Sequence, residues 1–388
     1  MIHVYGLSAE AQEHLSVASR IASEVAAVHA SEVDEQGRFP SEAIEQLAGA
    51  GLMGLCLSKE FGGQGEGMRA FAAVVEELAM ACGSTAMVYV MHTAAAQAIA
   101  ASTTFAYRAP VLTEISSGKH LTTLAFSEAG SRSQFWAPTS KLAETNGHFT
   151  TSAAKSWVTS AGHADSYVAT AQKPDAASPL ESTVYFVCAK AKGVKVTSAF
   201  NGLGLRGNDS APVSLEQLEV KPDDLISNPG DGPTVILQVV LPWFAVGTAA
   251  MANGLCRAAV ARTIGHLTGT GFEHDGSKLR DLPNLRARLA EMSTRTEQSR
   301  ALLGHTLDQI EAPSEITPLF VLQSRLAALE AALDVTDLAM KACGGAAFSR
   351  HLSIERLFRD ARAGWVMAPT ADHLRDFIGK ALTGLPLF

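Results

Sequence analysis

Residues 121–133 read LTTLAFSEAGSRS, and this stretch marks a change in the pattern of the chain. The segments before it are rich in Ala, Leu and Glu, with apolar residues at the i, i+3, i+4 spacing of helices. From it to about residue 220, Thr, Val, Ser and aromatic residues form short runs separated by turns. Short strands at this spacing, without helices between them, predict a β-sandwich or barrel. Helical patterns return after the loop SNPGDGP at 227–233.

The order of these patterns predicts an α+β chain of three domains. Residues 1–119 are expected to form an N-terminal helical bundle, residues 120–228 a central β-sandwich or barrel, and residues 229–388 a C-terminal four-helix bundle. The predicted C-terminal helices cover roughly residues 234–268, 282–310, 315–343 and 352–382. Within the last of these, Pro369 is expected to start a new helix, because Pro fits the first helical turn.

Composition argues against several classes of partner. The 388 residues are 47% hydrophobic and 18% charged, which is enough to bury a large core. The net charge is −8 without a basic cluster, so nucleic acid and anionic membranes are not expected partners. The cysteines are scattered and odd in number, which is typical of free thiols in a reducing compartment. Residues 1–21 lack the pattern of an export signal, and we therefore expect a cytoplasmic protein.

Residues 232–256, GPTVILQVVLPWFAVGTAAMANGLC, contain no charged residue and are long enough to cross a membrane. However, Gln238, Pro242 and Asn253 dilute the hydrophobicity, and no basic flank marks a cytoplasmic side. The sequence therefore favours a buried central helix, packed within the chain or against another subunit.

Several common catalytic motifs do not occur in the sequence. The nearest match to a dinucleotide-binding glycine motif, FGGQGEG at 61–67, lies between two helical segments instead of after a strand. A P-loop, HExxH, GxSxG and paired Cys/His ligand spacings are absent. We therefore expect neither a Rossmann unit nor esterase chemistry, and no metal site.

Five segments, in this order, resemble the acyl-CoA dehydrogenase family of FAD flavoproteins. They are GLMGLCLSKEFGGQGEG (51–67), LAFSEAGSRS (124–133), KSWVTSAG (155–162), LGLRGNDS (203–210) and KACGGAAFSRHLSIERLFRDAR (341–362). Each segment is a weak signal alone, but five in the right order cover nearly the whole chain. The resemblance implies an FAD enzyme that oxidises an acyl-thioester-like substrate by hydride transfer to flavin N5. It also implies an electron acceptor and a homodimer or homotetramer.

The resemblance implies a set of cofactor-binding residues. They are Phe126, Ser127 and Ser133 in the flavin loop, Trp157 and Thr159 in the Trp-containing strand, Gly344 and Gly345 in the Gly-Gly loop, and Thr370. The loop offers hydroxyl and backbone N–H groups in a glycine-containing turn, which suits a close approach to a cofactor. Residues 157 and 159 alternate along the predicted strand, so they can face the same side. The alternatives are a core Trp with a strand Thr, and a plain helix C-cap at the two glycines.

The catalytic base departs from the family pattern. Most members carry a Glu at the position of Ala368, and others carry one at the position of Phe244 on the central helix. Neither Ala nor Phe can accept a proton. Met367 and Trp136 are predicted, together with these two residues, to line the substrate pocket. A further departure puts Pro283 where members usually carry a Gln that contacts FAD.

Three other side chains are candidate bases. His92 lies in VYVMHTAAA, on a helix whose family counterpart borders the acyl pocket, although a His on an apolar helix is more often a core residue. Asp372 and His373 lie about one turn beyond Ala368, so either side chain could supply a displaced base. The helix dipole alone also favours an acidic residue there.

Two other functions stay open at this stage. Two-component flavin monooxygenases of the same fold use O₂ and a reduced flavin, here FMN, supplied by a flavin reductase. They need no such base. A non-catalytic flavin-binding or scaffold protein could also keep this fold. For a dehydrogenase, the expected substrate is a small molecule, either an acyl-CoA or an acyl group on a carrier.

Overall fold

The structure is a computed structural model that describes residues 3–387. In that range, the α-helices that precede the first strand are α1 (Ala9–Ile21), α2 (Ala27–Gln36), α3 (Ser41–Gly49), α4 (Met68–Ala81), α5 (Gly83–Ala101) and α6 (Arg108–Ser116). A π-helical segment, Ala22–Ala26, joins α1 to α2. Helix α5 is buried along nearly its whole length, so it lies at the centre of the N-terminal core.

The strands form two sheets that share one apolar core. They are β1 (Thr122–Ala125), β2 (Ala143–Thr145), β3 (His148–Val158), β4 (Ser166–Gln172), β5 (Ser182–Cys188), β6 (Val194–Val196) and β7 (Ala211–Val220). One sheet has the order β1-β4-β5, with β1 and β4 parallel, and the antiparallel second sheet has the order β2-β3-β7-β6. Tyr167 and Tyr185 from the first sheet belong to the same buried cluster as Phe149 and Leu215 from the second. The predicted β-sandwich is therefore confirmed.

The C-terminal part is helical, as predicted. Its α-helices in the described range are α7 (Gly232–Val235), α8 (Leu241–Gly269), α9 (Pro283–Glu311), α10 (Thr317–Cys343), α11 (Gly345–Phe348), α12 (Ile354–Val366) and α13 (Ala371–Thr383). The π-helical segment Ile236–Val240 joins α7 to α8, so one continuous helix covers Gly232–Gly269. This helix is long and apolar enough to cross a membrane, but 67% of its most apolar window is buried inside the protein. It occupies the place of the predicted central core helix.

The last predicted helix is interrupted. It is divided into α12 and α13 at residues 367–370, and α13 begins at Ala371 instead of Pro369. Thr370 is the N-cap of α13, because its Oγ1 accepts the backbone N–H of His373 at 3.3 Å. Threonine is a favoured N-cap residue, and its hydrogen bond sets the start of the helix.

Buried ion pairs join the N-terminal helices to the C-terminal bundle. The fully buried Glu76 on α4 accepts hydrogen bonds from Arg257 on α8 at 2.8 Å and from Arg300 on α9 at 3.0 Å. The hydroxyl of Tyr5 donates to the same carboxylate. Because two guanidinium groups match this buried charge, the three helices are fixed relative to one another.

Asp360 on α12 fixes the loop that precedes β7. Its Oδ1 accepts the backbone N–H of Leu205 at 2.7 Å. Gly204 approaches α12 so closely that an added Cβ would lie 2.4 Å from the carbonyl oxygen of Arg359. The loop 200–205 is therefore held against α12, beside the cavity described next.

Candidate functional site

A cavity of about 850 Å³ lies where the β-sandwich meets the helices on either side of it in the chain. Its walls come from α5, the loop after β1, the end of β3, the loop before β7, the start of α8 and the end of α12. Sites that hold cofactors and substrates have volumes of roughly 300–1,000 Å³. The fold therefore gathers distant segments around a space of suitable size.

The cavity lining combines apolar and polar groups. Met87 and Met91 from α5 and Leu241 from α8 contribute apolar surface. Ser127 and Asn208 contribute polar atoms from the two loops. This mixture is typical of sites that bind a largely apolar ligand and orient it with a few polar contacts.

Trp157 and Thr159 both line the cavity at the end of β3. Trp157 has a positive φ of 57°, which is uncommon for a bulky residue, and the pairing of β3 with β7 shifts register here. Its side chain is 69% exposed and meets Phe200 edge-on, with ring centroids 6.4 Å apart. Thr159 is buried, and its hydroxyl lies 3.0 Å from that of Ser210. A β-bulge, and not simple strand alternation, therefore brings both residues to the cavity.

A buried ion pair supports the loop 126–135. Lys155 Nζ lies 2.7 Å from Glu128 Oε1. Glu128 Oε2 accepts the backbone N–H groups of Thr139 at 2.8 Å and Ser140 at 2.9 Å. Burial alone would raise the pKa of Glu128, but the Lys155 charge and the hydroxyl hydrogen bonds outweigh it and lower the pKa to about 2. The ionised carboxylate ties the start of this loop to Lys155 on β3 and to residues 139 and 140.

Comparison with known proteins identifies the family. The models described as acyl-CoA dehydrogenase N-terminal, middle and C-terminal domains match residues 8–119, 123–218 and 230–383. The chain belongs to the acyl-CoA dehydrogenase family. Its homologues are flavin-dependent oxidoreductases.

Individual acyl-CoA dehydrogenases match along nearly their full length. The probable acyl-CoA dehydrogenase YngJ of Bacillus subtilis (strain 168) is 25% identical, over 97% of this chain and 99% of its own. The short-chain specific acyl-CoA dehydrogenase of Clostridium acetobutylicum is 24% identical, over 88% and 90%. The structure of butyryl-CoA dehydrogenase from Megasphaera elsdenii has a TM-score of 0.92 at 20% identity, covering 97% and 99%. This structural likeness confirms the predicted fold.

Many residues singled out from the acyl-CoA dehydrogenase resemblance line the cavity. They are Phe126, Ser127, Ser133, Trp157, Thr159, Phe244, Met367 and Ala368. They come from four separate segments of the chain. Phe244 and Ala368, the two positions to which the resemblance assigns the catalytic carboxylate, are therefore in the wall of this cavity, and both are apolar.

Among the described residues that line the cavity, Glu128 is the sole carboxylate, and none is His, Cys, Lys or Tyr. Its oxygens accept hydrogen bonds from Lys155, Thr139 and Ser140. A carboxylate with a pKa of about 2 is a poor proton acceptor at neutral pH. The described lining residues therefore offer no side chain suited to act as a general base at neutral pH.

His92, one of the candidate bases, does not lie in the cavity lining. It is fully buried, its Nε2 lies 3.2 Å from the carbonyl oxygen of Met53, and its Nδ1 accepts the N–H of Thr122 at 3.2 Å. Burial lowers the pKa of His92 to about 4, so the ring is neutral at pH 7. With both nitrogens engaged, the imidazole connects α5 to β1.

We expect His92 to make stability pH-dependent in a defined window. The pKa is near 6.5 in the unfolded chain and about 4 in the folded protein, so unfolding takes up a proton. The contribution of His92 is complete above pH 6.5 and is lost as the pH falls to 4, by about 3 kcal/mol in total. Urea denaturation of wild type and His92→Gln at about pH 7.5 and about pH 4.5 measures this. Equal losses of stability in the two proteins would contradict it.

The residues at the start of α13 lie beside the cavity lining and not in it. The Asp372 side chain is 84% exposed and pairs with Arg375 at 3.0 Å. His373 is hydrogen-bonded to its N-cap Thr370, and its ring packs edge-on against Trp136 at 5.5 Å. Trp136, predicted for the substrate pocket, is buried behind the lining. The structure therefore does not bring these four predicted residues into the cavity.

Gly344 and Gly345 lie at the end of α10, outside the cavity lining. Gly344 has φ 54° and ψ −132°, a conformation that glycine adopts far more readily than other residues. An added Cβ on either glycine would meet nothing within 4 Å, so the loop faces open space. Pro283 is the first residue of α9. The predicted contact of the glycines with an FAD pyrophosphate stays a prediction.

Three arginines in the cavity lining were not predicted as site residues: Arg132, Arg359 and Arg362. Arg359 pairs with Asp34 at 2.8 Å, and Arg362 donates to the hydroxyl of Thr336 at 2.9 Å. Arg359 and Arg362 therefore make contacts within the protein and also border the cavity.

Proposed function

We propose that the protein is an FAD-dependent oxidoreductase that oxidises an acyl thioester. The observation that carries the proposal is the cavity itself, whose wall holds both the flavin loop and the family's two base positions, Phe244 and Ala368. Relatives named acyl-CoA dehydrogenases, matched over 97% and 88% of this chain, support a CoA thioester as the substrate class.

The residues present fit a flavin. Trp157 offers an exposed aromatic ring at the rim, and the neighbouring hydroxyls of Thr159 and Ser210 can donate hydrogen bonds. Ser127 and Ser133 add hydroxyl groups from the loop that the buried ion pair supports. FAD, when bound, supplies the hydride acceptor. The comparisons support FAD and give no support to FMN.

The chain's own contribution is to bind the thioester and exclude water. Met87, Met91 and Leu241 provide an apolar wall along which an acyl chain can lie. Excluding water from such a site strengthens the few polar contacts that orient the ligand. Because the described lining residues hold no suitable side-chain base, the α proton goes to an acceptor outside them.

A second candidate function is a flavin-dependent monooxygenase. The observation in its favour is the absence of a side-chain base from the lining residues. Oxygenation of a small apolar compound would need no α-proton base from the chain, whereas dehydrogenation of a thioester normally does.

Anaerobic mixing of the FAD-loaded protein with a series of saturated acyl-CoAs tests the proposal. We expect loss of the oxidised-flavin absorbance and formation of the enoyl thioester. No reduction by any member of the series, together with oxygen-dependent hydroxylation by the reduced protein, would favour the monooxygenase. A purified protein that binds neither FAD nor FMN would favour a non-catalytic scaffold.

We further propose a cytoplasmic homodimer or homotetramer that passes its electrons to an electron-transferring flavoprotein. The reducing-compartment pattern of the cysteines supports the location, since the described structure holds all five as free thiols. Exposed apolar side chains such as Phe348, 85% exposed near the Gly-Gly loop, support contacts between subunits.

A further inference from the structure

A histidine and two glutamates from separate segments converge outside the cavity. Glu10 and His14 are one turn apart on α1, so their side chains share a face of that helix. Glu66 lies in the glycine-rich loop 62–67, which leads into α4. One ligand atom from each of the three side chains lies within 4.8 Å of the other two. Together they form the Glu-His-Glu cluster, and none of them belongs to the cavity lining.

The ligand atoms of His14 and Glu66 face each other without a hydrogen bond. His14 Nε2 is shielded from solvent and has no hydrogen-bond partner within residues 3–387. It lies 3.8 Å from Glu66 Oε1, which is longer than a hydrogen bond. The Glu66 side chain is only 13% exposed, and no described Lys or Arg forms an ion pair with it. Shielding polar atoms from water without giving them a partner is unfavourable, and a ligand between them would relieve this cost.

The charge of the Glu-His-Glu cluster favours a cation. Among the described Lys and Arg residues, Lys59 alone pairs with it, at 3.1 Å from Glu10 Oε1. Lys59 and Glu10 are 68% and 59% exposed, so this surface pair contributes little and separates easily. The second oxygen of Glu10 and the whole carboxylate of Glu66 are left for another cation. The arrangement therefore suits an ion that binds several ligands at once.

A second group of one histidine and two glutamates shows how the chain can fill such a space by itself. His29 lies 3.8 Å from Glu32 and 3.9 Å from Glu42. Arg38 pairs with these two carboxylates at 3.0 Å and 2.9 Å, and its Nη2 lies 3.3 Å from His29 Nδ1. One guanidinium therefore contacts all three side chains. In the Glu-His-Glu cluster, no side chain of the described range does the same.

We propose that the Glu-His-Glu cluster binds Zn²⁺. One imidazole nitrogen and two carboxylate oxygens are ligands that Zn²⁺ accepts, and water completes its coordination. Bonds of about 2.0–2.2 Å place the ligand atoms of a tetrahedral zinc ion roughly 3.4 Å apart. The distance of 3.8 Å between His14 and Glu66 therefore has to shorten only slightly. Mg²⁺ and Ca²⁺ prefer oxygen ligands alone and should not compete.

The zinc ion joins α1 to the loop 62–67, a part of the segment FGGQGEG that has no role in the cavity. Gly62 and Gly65 of this loop have positive φ, so the loop depends on contacts outside itself and not on regular structure. Ligand spacing in the sequence does not reveal the site, because Glu66 reaches the pair on α1 only in the folded chain. The inference is independent of the proposed flavin chemistry.

Titration calorimetry with ZnCl₂ on the metal-free, FAD-loaded protein tests the inference. We expect the wild type to bind one zinc ion per chain at this site, and MgCl₂ and CaCl₂ to give no binding there. His14→Gln and Glu66→Gln should each weaken zinc binding by at least about 10-fold, since even the loss of a partner beyond the ligands costs roughly 10- to 100-fold. Lys59→Met removes a competing cation and should strengthen zinc binding about two- to fivefold.

His29→Gln is the matched control, because it removes a histidine between two glutamates whose space Arg38 already fills, and it should bind zinc as the wild type does. X-ray absorption at the zinc edge gives a readout on the wild type that needs no variant to fold. We expect nitrogen and oxygen ligands at about 2.0–2.2 Å, whereas sulfur at about 2.3 Å would assign the ion to one of the five cysteines. Sulfur ligation, no zinc binding by the wild type, or unchanged affinity in both His14→Gln and Glu66→Gln would overturn the inference. Flavin reduction by acyl-CoAs tests the proposed function separately.

Discussion

Replacing Ala368 with Glu should accelerate flavin reduction by an uncharged acyl-CoA by about 10²- to 10⁴-fold, the usual contribution of a positioned general base. Ala368 lines the cavity and follows Met367, whose carbonyl oxygen Arg325 holds at 3.0 Å. A Glu at this position would place a carboxylate in the cavity wall, where the resemblance predicts the catalytic Glu. The nearby guanidinium favours its ionised form, so the group can accept a proton at neutral pH. The measurement is the anaerobic rate of flavin reduction by hexanoyl-CoA in a stopped-flow experiment.

Ala368→Gln is the matched control, because its side chain has the same length and cannot accept a proton at neutral pH. We expect it to react at the wild-type rate. If the Glu and Gln variants react at the same rate, residue 368 does not lie beside the reacting carbon. The absence of a carboxylate at this position would then have no bearing on the chemistry.

The fold was predictable because its signals extend over many residues. The uncharged run at 232–256 belongs to a continuous helix that covers Gly232–Gly269, and its small and apolar side chains pack into the core. The two short helices α3 and α6, nine residues each, gave no comparable pattern, because each makes only two to three turns. Their positions depend on tertiary packing, which outweighs local propensity over such short segments.

Many residues taken from the family motifs line the cavity, whereas candidates chosen for their position along the chain do not. Asp372 is only a few residues beyond Ala368, but the N-cap at Thr370 starts a new helix and leaves Asp372 in solvent. His92 is on a helix that borders the cavity, but its ring is turned towards Met53. Distance along the chain does not show in which direction a side chain points. On a helix, neighbouring side chains differ in direction by about 100°.

Arg325 could not be singled out from the sequence. In VLQSRLAALEAA it resembles any charged residue on the solvent face of an amphipathic helix. Its burial depends on α8 and on the turn after α12, which reach it only in three dimensions and supply Phe244 and Met367 as its contacts.

Lys155→Met should reduce the free energy of unfolding by about 3–5 kcal/mol, the typical loss when one partner of a buried ion pair is removed. The side chains of Lys155 and Glu128 are 0% and 2% exposed. The variant leaves the Glu128 carboxylate buried without a counter-charge, although Thr139 and Ser140 still donate to it. Urea denaturation followed by circular dichroism measures the loss. The exposed Lys141 provides the control, because Lys141→Met should change stability by less than about 0.5 kcal/mol.

The pH dependence distinguishes loss of this ion pair from loss of packing. The pKa of Glu128 is about 2 in the folded protein, below its ordinary value of 4.5, so the contribution of the pair is complete above pH 4.5 and is lost as the pH falls towards 2. The stability difference between wild type and Lys155→Met should therefore shrink below about pH 4.5. A difference of unchanged size at about pH 3 would show that Lys155 acts through the packing of its methylene groups. The double variant Lys155→Met/Glu128→Gln should recover part of the loss, because no uncompensated charge then remains beneath the loop 126–135.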